Sequence, residues 1–190
     1  PFPSPSVQPR DVTDMQAHTF EDACFYEIAF IALDDDGGSA SDTANVIIVG
    51  DADQIRSAGF WQTRYGGLGG QEFDEATLQC YLDIVGFMSQ VFHEVTDAST
   101  ISNAAGVLSP GGGGNPLVQL DRQLLAAWLN FANGAVGLDE VLTIGKGNNA
   151  VQVTFADMMA EAEAVRLNPA STPAELNAQK DILDKFNNLG

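Results

Sequence analysis

Groups that could do chemistry are few in this chain, and their spacing limits what they could do. His18 and His93 are the only histidines. A zinc-hydrolase helix carries its second His four residues after the first, and His93-Glu94-Val95-Thr96-Asp97 has Asp at that place. Two Cys and two His give no zinc-ligand spacing. No Gly-x-Ser-x-Gly elbow occurs to present a nucleophilic serine. Gly66-Gly67-Leu68-Gly69-Gly70 and Gly111 to Gly114 lack the Gly-Lys-Ser/Thr ending of a phosphate cradle, and Gly145-Lys146-Gly147 lacks its hydroxyl, so all three read as loops. Asp139, Glu140, Glu161 and Glu163 could pair for glycoside hydrolysis, but solvated helix faces account for them without chemistry. No catalytic residue is assigned.

Two constellations keep functional weight. Asp34, Asp35, Asp36 and Asp42 gather four carboxylates around one turn, and hard oxygen donors suit Ca²⁺. The Asp-x-Asp-x-Asp-Gly spacing and closing Glu of an EF-hand are absent, and a solvated Asx-rich turn is the competing reading. Phe60, Trp61 and Tyr65 lie beside a Gly-rich stretch, where they could stack on the sugar rings of a glycan or plug a junction between domains. Cys24 and Cys80 permit one disulfide, which requires an oxidising compartment and Cα atoms roughly 4.4 to 6.8 Å apart; two buried free thiols are the alternative.

The 190 residues are enough for one large domain or two small ones. Eight Lys and Arg against 26 Asp and Glu give a net charge of −18, which repels nucleic acid and anionic lipid. Ile28 to Leu33, as long as any apolar run in the chain, is too short to cross a bilayer. Asp outnumbers Glu 17 to 9 and Lys occurs three times, a surface suited to a secreted or salt-exposed protein. The chain opens at Pro1 without a Met-initiated leader, which leaves a removed leader or a longer parent chain as the two explanations.

The elements that must position these residues follow from periodicity. Pro1, Pro3, Pro5 and Pro9 favour an extended polyproline-type arm over residues 1–17. Phe25 to Leu33 (FYEIAFIAL) predicts a strand with apolar side chains on both faces, Glu27 excepted. A turn at Asp34 to Gly38 leads to a second strand, Thr43 to Val49. Phe73 to Val95 predicts one long amphipathic helix through Leu78, Leu82, Val85, Met88, Phe92 and Val95. Its interior Gly86 costs roughly 1 kcal/mol relative to Ala, which predicts a close packing contact there. Ile101 to Pro116 reads as a flexible loop, and Leu117 to Asn133 as a second helix stopped by Asn133-Gly134. Thr154-x-x-Asp157 and the capping box Thr172-Pro173-x-Glu175 open two more.

His18-Thr19-Phe20, Tyr26-x-Ile28-x-Phe30, Asp34 to Gly38, Ser41-Asp42-Thr43 and Val46 to Val49 resemble the C-terminal half of a PKD repeat, an immunoglobulin-like β-sandwich of secreted and cell-surface microbial proteins. The first half of the repeat is absent. Gly59-Phe60-Trp61, Tyr81 to Val85, Val91-Phe92-x-Glu94, Leu124 to Ala135 (LLAAWLNFANGA) and Lys180 to Asn188 (KDILDKFNN) resemble a helical module at the C-termini of large secreted bacterial proteins, where it often follows PKD repeats. That second resemblance implies context and no reaction.

The expected fold class is α+β: residues 18–53 a short antiparallel Ig-like β half of two to three strands, and 54–190 a mainly helical unit of about four helices. Two or three strands cannot cover both faces of FYEIAFIAL. The first functional reading is therefore a non-enzymatic extracellular structural module whose β half is completed by strands of another copy or chain, in a filament or surface-layer type assembly. Phe25, Ile28, Phe30, Ile31, Ile47 and Val49 would make the contact, and the partners would be further copies or the remainder of a longer secreted protein. A calcium-stabilised adhesion or glycan-binding module is the alternative, and an extracellular hydrolase the third reading.

Overall fold

The alternating aromatic and β-branched run forms strand β1 (Phe25–Leu33), paired antiparallel with β2 (Ser39–Ile47) from Phe25 opposite Ile47 to Leu33 opposite Ser39. The computed structural model describes residues 15–33, 37–68, 70, 72–109, 111, 114–145 and 150–190. Asp34, Asp35 and Asp36 and residues 1–14 of the expected arm lie outside them. The second strand begins four residues before the expected Thr43 and ends at Ile47, because pairing resumes two residues after Gly37, whose φ of +88° belongs to the turn. Past Ile47 the backbone finds other partners: Ile48 N–H donates to Cys24 O at 3.0 Å and Gly50 N–H to Ala132 O at 2.9 Å.

Seven helices follow among the described residues: α1 (Ala58–Tyr65), α2 (Glu75–Met88), α3 (Gln90–Glu94), α4 (Ile101–Leu108), α5 (Pro116–Ala132), α6 (Phe155–Leu167) and α7 (Pro173–Phe186). The architecture is α+β, with a second small antiparallel hairpin of β3 (Val141–Ile144) and β4 (Val151–Thr154) between α5 and α6. Helix α5 is central. Every residue from Gln123 to Ala132 is buried, and the helix packs against α1, α2, α4, α6 and α7. A helix apolar on all sides belongs inside a bundle. Its start is set by Asn115, whose side chain accepts from Leu117 N–H, and by Pro116 in the first turn.

The long helix expected over Phe73 to Val95 is broken at Ser89. There the Ser89 Oγ caps α3 by accepting from Phe92 N–H and donates in turn to the buried Glu163 carboxylate. The stretch expected as a loop holds α4, capped by Thr100 and pinned by the fully buried Ala104 and Leu108. Helix α7 carries the anticipated capping box, Thr172 and Glu175 each satisfying the other's backbone.

Candidate functional site

Directly opposed residues of an antiparallel pair share a face, so the register sorts the β1–β2 hairpin into two surfaces. One holds Tyr26, Ile28, Phe30 and Ala32 opposite Val46, Ala44, Asp42 and Ala40, with Asp42 its single charged residue. The other runs from Phe25 opposite Ile47 through Glu27, Ala29 and Ile31 to Leu33, its β2 side polar from Asn45 to Ser39. Only the base is covered. Phe25 and Ile47 pack against the helical core, with the Phe25 ring stacked on Phe87 at 4.6 Å, and Phe20 lies 4.6 Å from Tyr26 on the opposite face.

Toward the tip the side chains meet solvent. Phe30 is 56% exposed, Ile31 69% and Leu33 80%, while Ile28 is half-buried. Among the described residues each strand pairs only with the other, so both outer edges carry unpaired backbone groups. Of the six residues expected to make the assembly contact, Ile28, Phe30, Ile31 and Val49 are open or partly open, and Phe25 and Ile47 anchor the base. Leu33 was missed as an exposed apolar residue, although its place in the alternation with Ile31 signals the same face.

The hairpin is fixed at its root. Cys24, the residue before β1, is disulfide-bonded to Cys80 of α2, their Cα atoms 4.6 Å apart. Among the described residues, Cys24, Cys80 and Asp83 are the one grouping with metal-like spacing, and the bond leaves neither sulfur a thiolate to offer. On the other side of the root, Ala52 N–H donates to Asn133 O at 3.0 Å, and Gly134, with φ +85°, lets the end of α5 approach Gly50.

The aromatic residues expected as a sugar platform are otherwise employed. Trp61 is fully buried among Tyr65, Phe73 and Tyr81, and Tyr65 is nearly so, leaving neither ring open to a glycan. Phe60 is half-buried, with the Arg56 and Arg64 guanidinium groups 4.9 and 4.4 Å from its centroid. Trp61 Nε1 donates to Asn130 Oδ1 at 3.2 Å, and Asn130 also accepts from Arg56 N–H at 2.7 Å and donates to Arg56 O at 2.8 Å. Burial holds the Tyr65 hydroxyl well above its ordinary pKa and pushes Tyr81 up to about 12, where Asp51 and Glu72 add to the effect. The two hydroxyls donate to Leu78 O and Asn133 Oδ1, each at 2.9 Å.

Of the aspartates expected around calcium, Asp42 is exposed within β2 and accepts from the neighbouring Thr43 N–H at 2.9 Å. The buried carboxylates serve the packing. Glu163 accepts from Ser89 Oγ, Gln90 N–H and Trp128 Nε1. Asp121 is paired with Arg166 and accepts from Thr96 Oγ1. Asp97 is held below the usual carboxylate range by Ser99 and Asn103, which donate to it. His93 is exposed beside Phe92 at the end of α3.

No protein-family model, curated protein or solved structure matches this chain. No helix among the described residues is long and apolar enough to cross a membrane.

Proposed function

We propose that this chain is a non-enzymatic extracellular structural module whose β1–β2 hairpin is completed by strands from another copy or chain. One observation carries the reading: among the described residues a pair of nine-residue strands joined to no third strand projects Phe30, Ile31 and Leu33 into solvent on both of its faces, with both backbone edges open. A two-stranded hairpin is at best marginally stable in water, and an open apolar edge invites pairing. Strand addition covers the side chains and satisfies the edge in a single contact. The disulfide at the root supports an oxidising, extracellular setting, and the resemblance of residues 18–53 to half of a PKD repeat supports a β-sandwich as the completed form.

The experiment is the solution mass of the chain by light scattering, for the native sequence and for Phe30→Asp and Ile28→Asp. Completion by copies predicts a mass above the 20.1 kDa of one chain that is lowered in both variants. A single-chain mass for the native sequence, or a mass that neither substitution lowers, overturns it.

A further inference from the structure

A second surface adjoins the hairpin and is not explained by strand addition. Between β1, α2 and α3 runs an open groove of about 440 Å³, lined by Phe25, Leu82, Gly86, Phe87, Phe92 and His93. Three of its ten lining residues are phenylalanines, and Phe87, next to last in α2, is 49% exposed although the apolar stripe of that helix otherwise faces the core. Gly86 has a physical cost in a helix interior that close packing would normally justify. A Cβ placed on it would meet no atom within 4 Å among the described residues. Among the described residues the glycine therefore serves no contact; its effect is to keep the groove open beside Phe87.

We propose that this groove receives a polyproline-type segment, and that its occupant is residues 1–10 of a second copy of the chain. Aromatic-lined grooves bind Pro-rich segments because the rings match the pyrrolidine faces and the extended ligand loses little entropy on docking. Pro1, Pro3, Pro5 and Pro9 supply such a segment within this sequence, with Phe2 as a further apolar group. Arg10 ends it and is the only Lys or Arg before Arg56. On the groove wall stands Asp83, exposed, bonded to Gln79 and in no ion pair among the described residues. Arg10 and Asp83 are complementary in charge.

The geometry favours a second copy over the molecule's own segment. Successive strand residues point to opposite faces. Phe25 opens the groove on one face of β1, whereas Phe20 packs on Tyr26 on the other. Phe20 thus sits on the face of β1 away from the molecule's own groove, whereas a second copy needs no chain to cross from that face.

The test uses the full chain carrying Phe30→Asp, so that strand addition through the hairpin contributes nothing, together with a labelled peptide PFPSPSVQPR (residues 1–10). The expected result is association that rises with concentration, is reversed by excess peptide, and is lost in the additional variant Gly86→Leu, which fills the groove. Gly86→Leu should weaken peptide binding at least ~tenfold while the melting temperature holds or rises; Phe87→Ser, at a half-exposed position, repeats the test should the leucine disturb α2. A single-chain mass at concentrations up to about 1 mM, or peptide affinity undiminished in both groove variants, overturns the proposal. So does peptide binding without association, which assigns the groove to the molecule's own segment. Strand addition is read separately, from the difference in mass between the native and Phe30→Asp chains.

Discussion

Cys24 and Cys80 are joined across 56 residues, which ties the first turn of backbone before the exposed hairpin to the middle of α2. A strand pair with so little of its own surface covered depends on such an anchor. The bond acts mainly on the unfolded chain, whose closed loop has fewer conformations to lose.

For a loop of this length, chain-entropy reasoning gives about 4 kcal/mol of stabilisation. The chain with Cys24→Ser and Cys80→Ser is expected to lose unfolding free energy by that margin and so to unfold at a lower urea concentration, and reductant should shift the native chain's midpoint to match it. Superimposed unfolding curves with and without reductant would contradict the anchoring role.

The glycines separate into two kinds with opposite predicted signs. Gly86→Ala should stabilise the chain by roughly 1 kcal/mol, since its Cβ enters open space and the helix gains propensity. Gly134→Ala should destabilise it by about 1–3 kcal/mol or more, because its φ is +85° and a Cβ would lie 1.9 Å from Gly50 O. Thermal unfolding of the two variants decides both signs. A destabilised Gly86→Ala chain would mean that the position is packed after all and would remove the groove's argument.

That contrast also shows what periodicity could and could not reveal. The spacing of Leu120, Leu124, Leu125, Trp128 and Phe131 marked a buried helix because burial on every side leaves a dense apolar record. The capping box at Thr172 and Glu175 was legible because its two hydrogen bonds are local. Gly86 was misread: a mid-helix glycine implies a missing side chain, and only the neighbouring elements tell whether packing or empty space lies over it. Ser89 escapes the periodicity because the apolar spacing runs on through it; its cap on Phe92 N–H is local, while its bond to Glu163 lies 74 residues away. Helix α4 did carry a local signal, Thr100 before Ile101, Ala104, Ala105 and Leu108 at helical spacing, but the glycines after it pulled the whole stretch toward a loop. Asn130 and Asn133 within LNFANGA lacked any periodic signature, because their partners Arg56, Trp61 and Tyr81 are fixed by tertiary contact alone.

Alkaline pH should open the helical core through its buried phenols. Tyr81 ionises near pH 10 in the unfolded chain and only at about 12 in the folded one, and Tyr65 is shifted in the same direction. The unfolded state therefore releases these protons first. The stabilisation is fully present below pH 10 and is lost as pH rises through 12. Phenolate absorbance and helical circular dichroism should then change together for these two groups. Tyr81→Phe, which keeps the ring among Trp61 and Phe73 but removes the proton, should move the alkaline transition to higher pH; an unmoved transition would show that Tyr81 is not what drives it.

Charge sets a final condition on assembly through the hairpin. Each copy carries −18, whereas the contacting surface of Tyr26, Ile28, Phe30 and Ala32 is apolar apart from Asp42 opposite Phe30. Attraction is thus short-ranged and insensitive to salt, while repulsion between copies is long-ranged and screened over about 10 Å at 0.1 M and about 3 Å at 1 M ionic strength. Raising sodium chloride should strengthen the association, and Asp42→Asn should strengthen it further at low salt by removing the one charge that strand addition would desolvate. Measured in the Gly86→Leu chain, where the groove is filled, mass by light scattering should climb with salt. A mass that falls with salt would identify a contact held by opposite charges and would rule out the apolar hairpin as its centre.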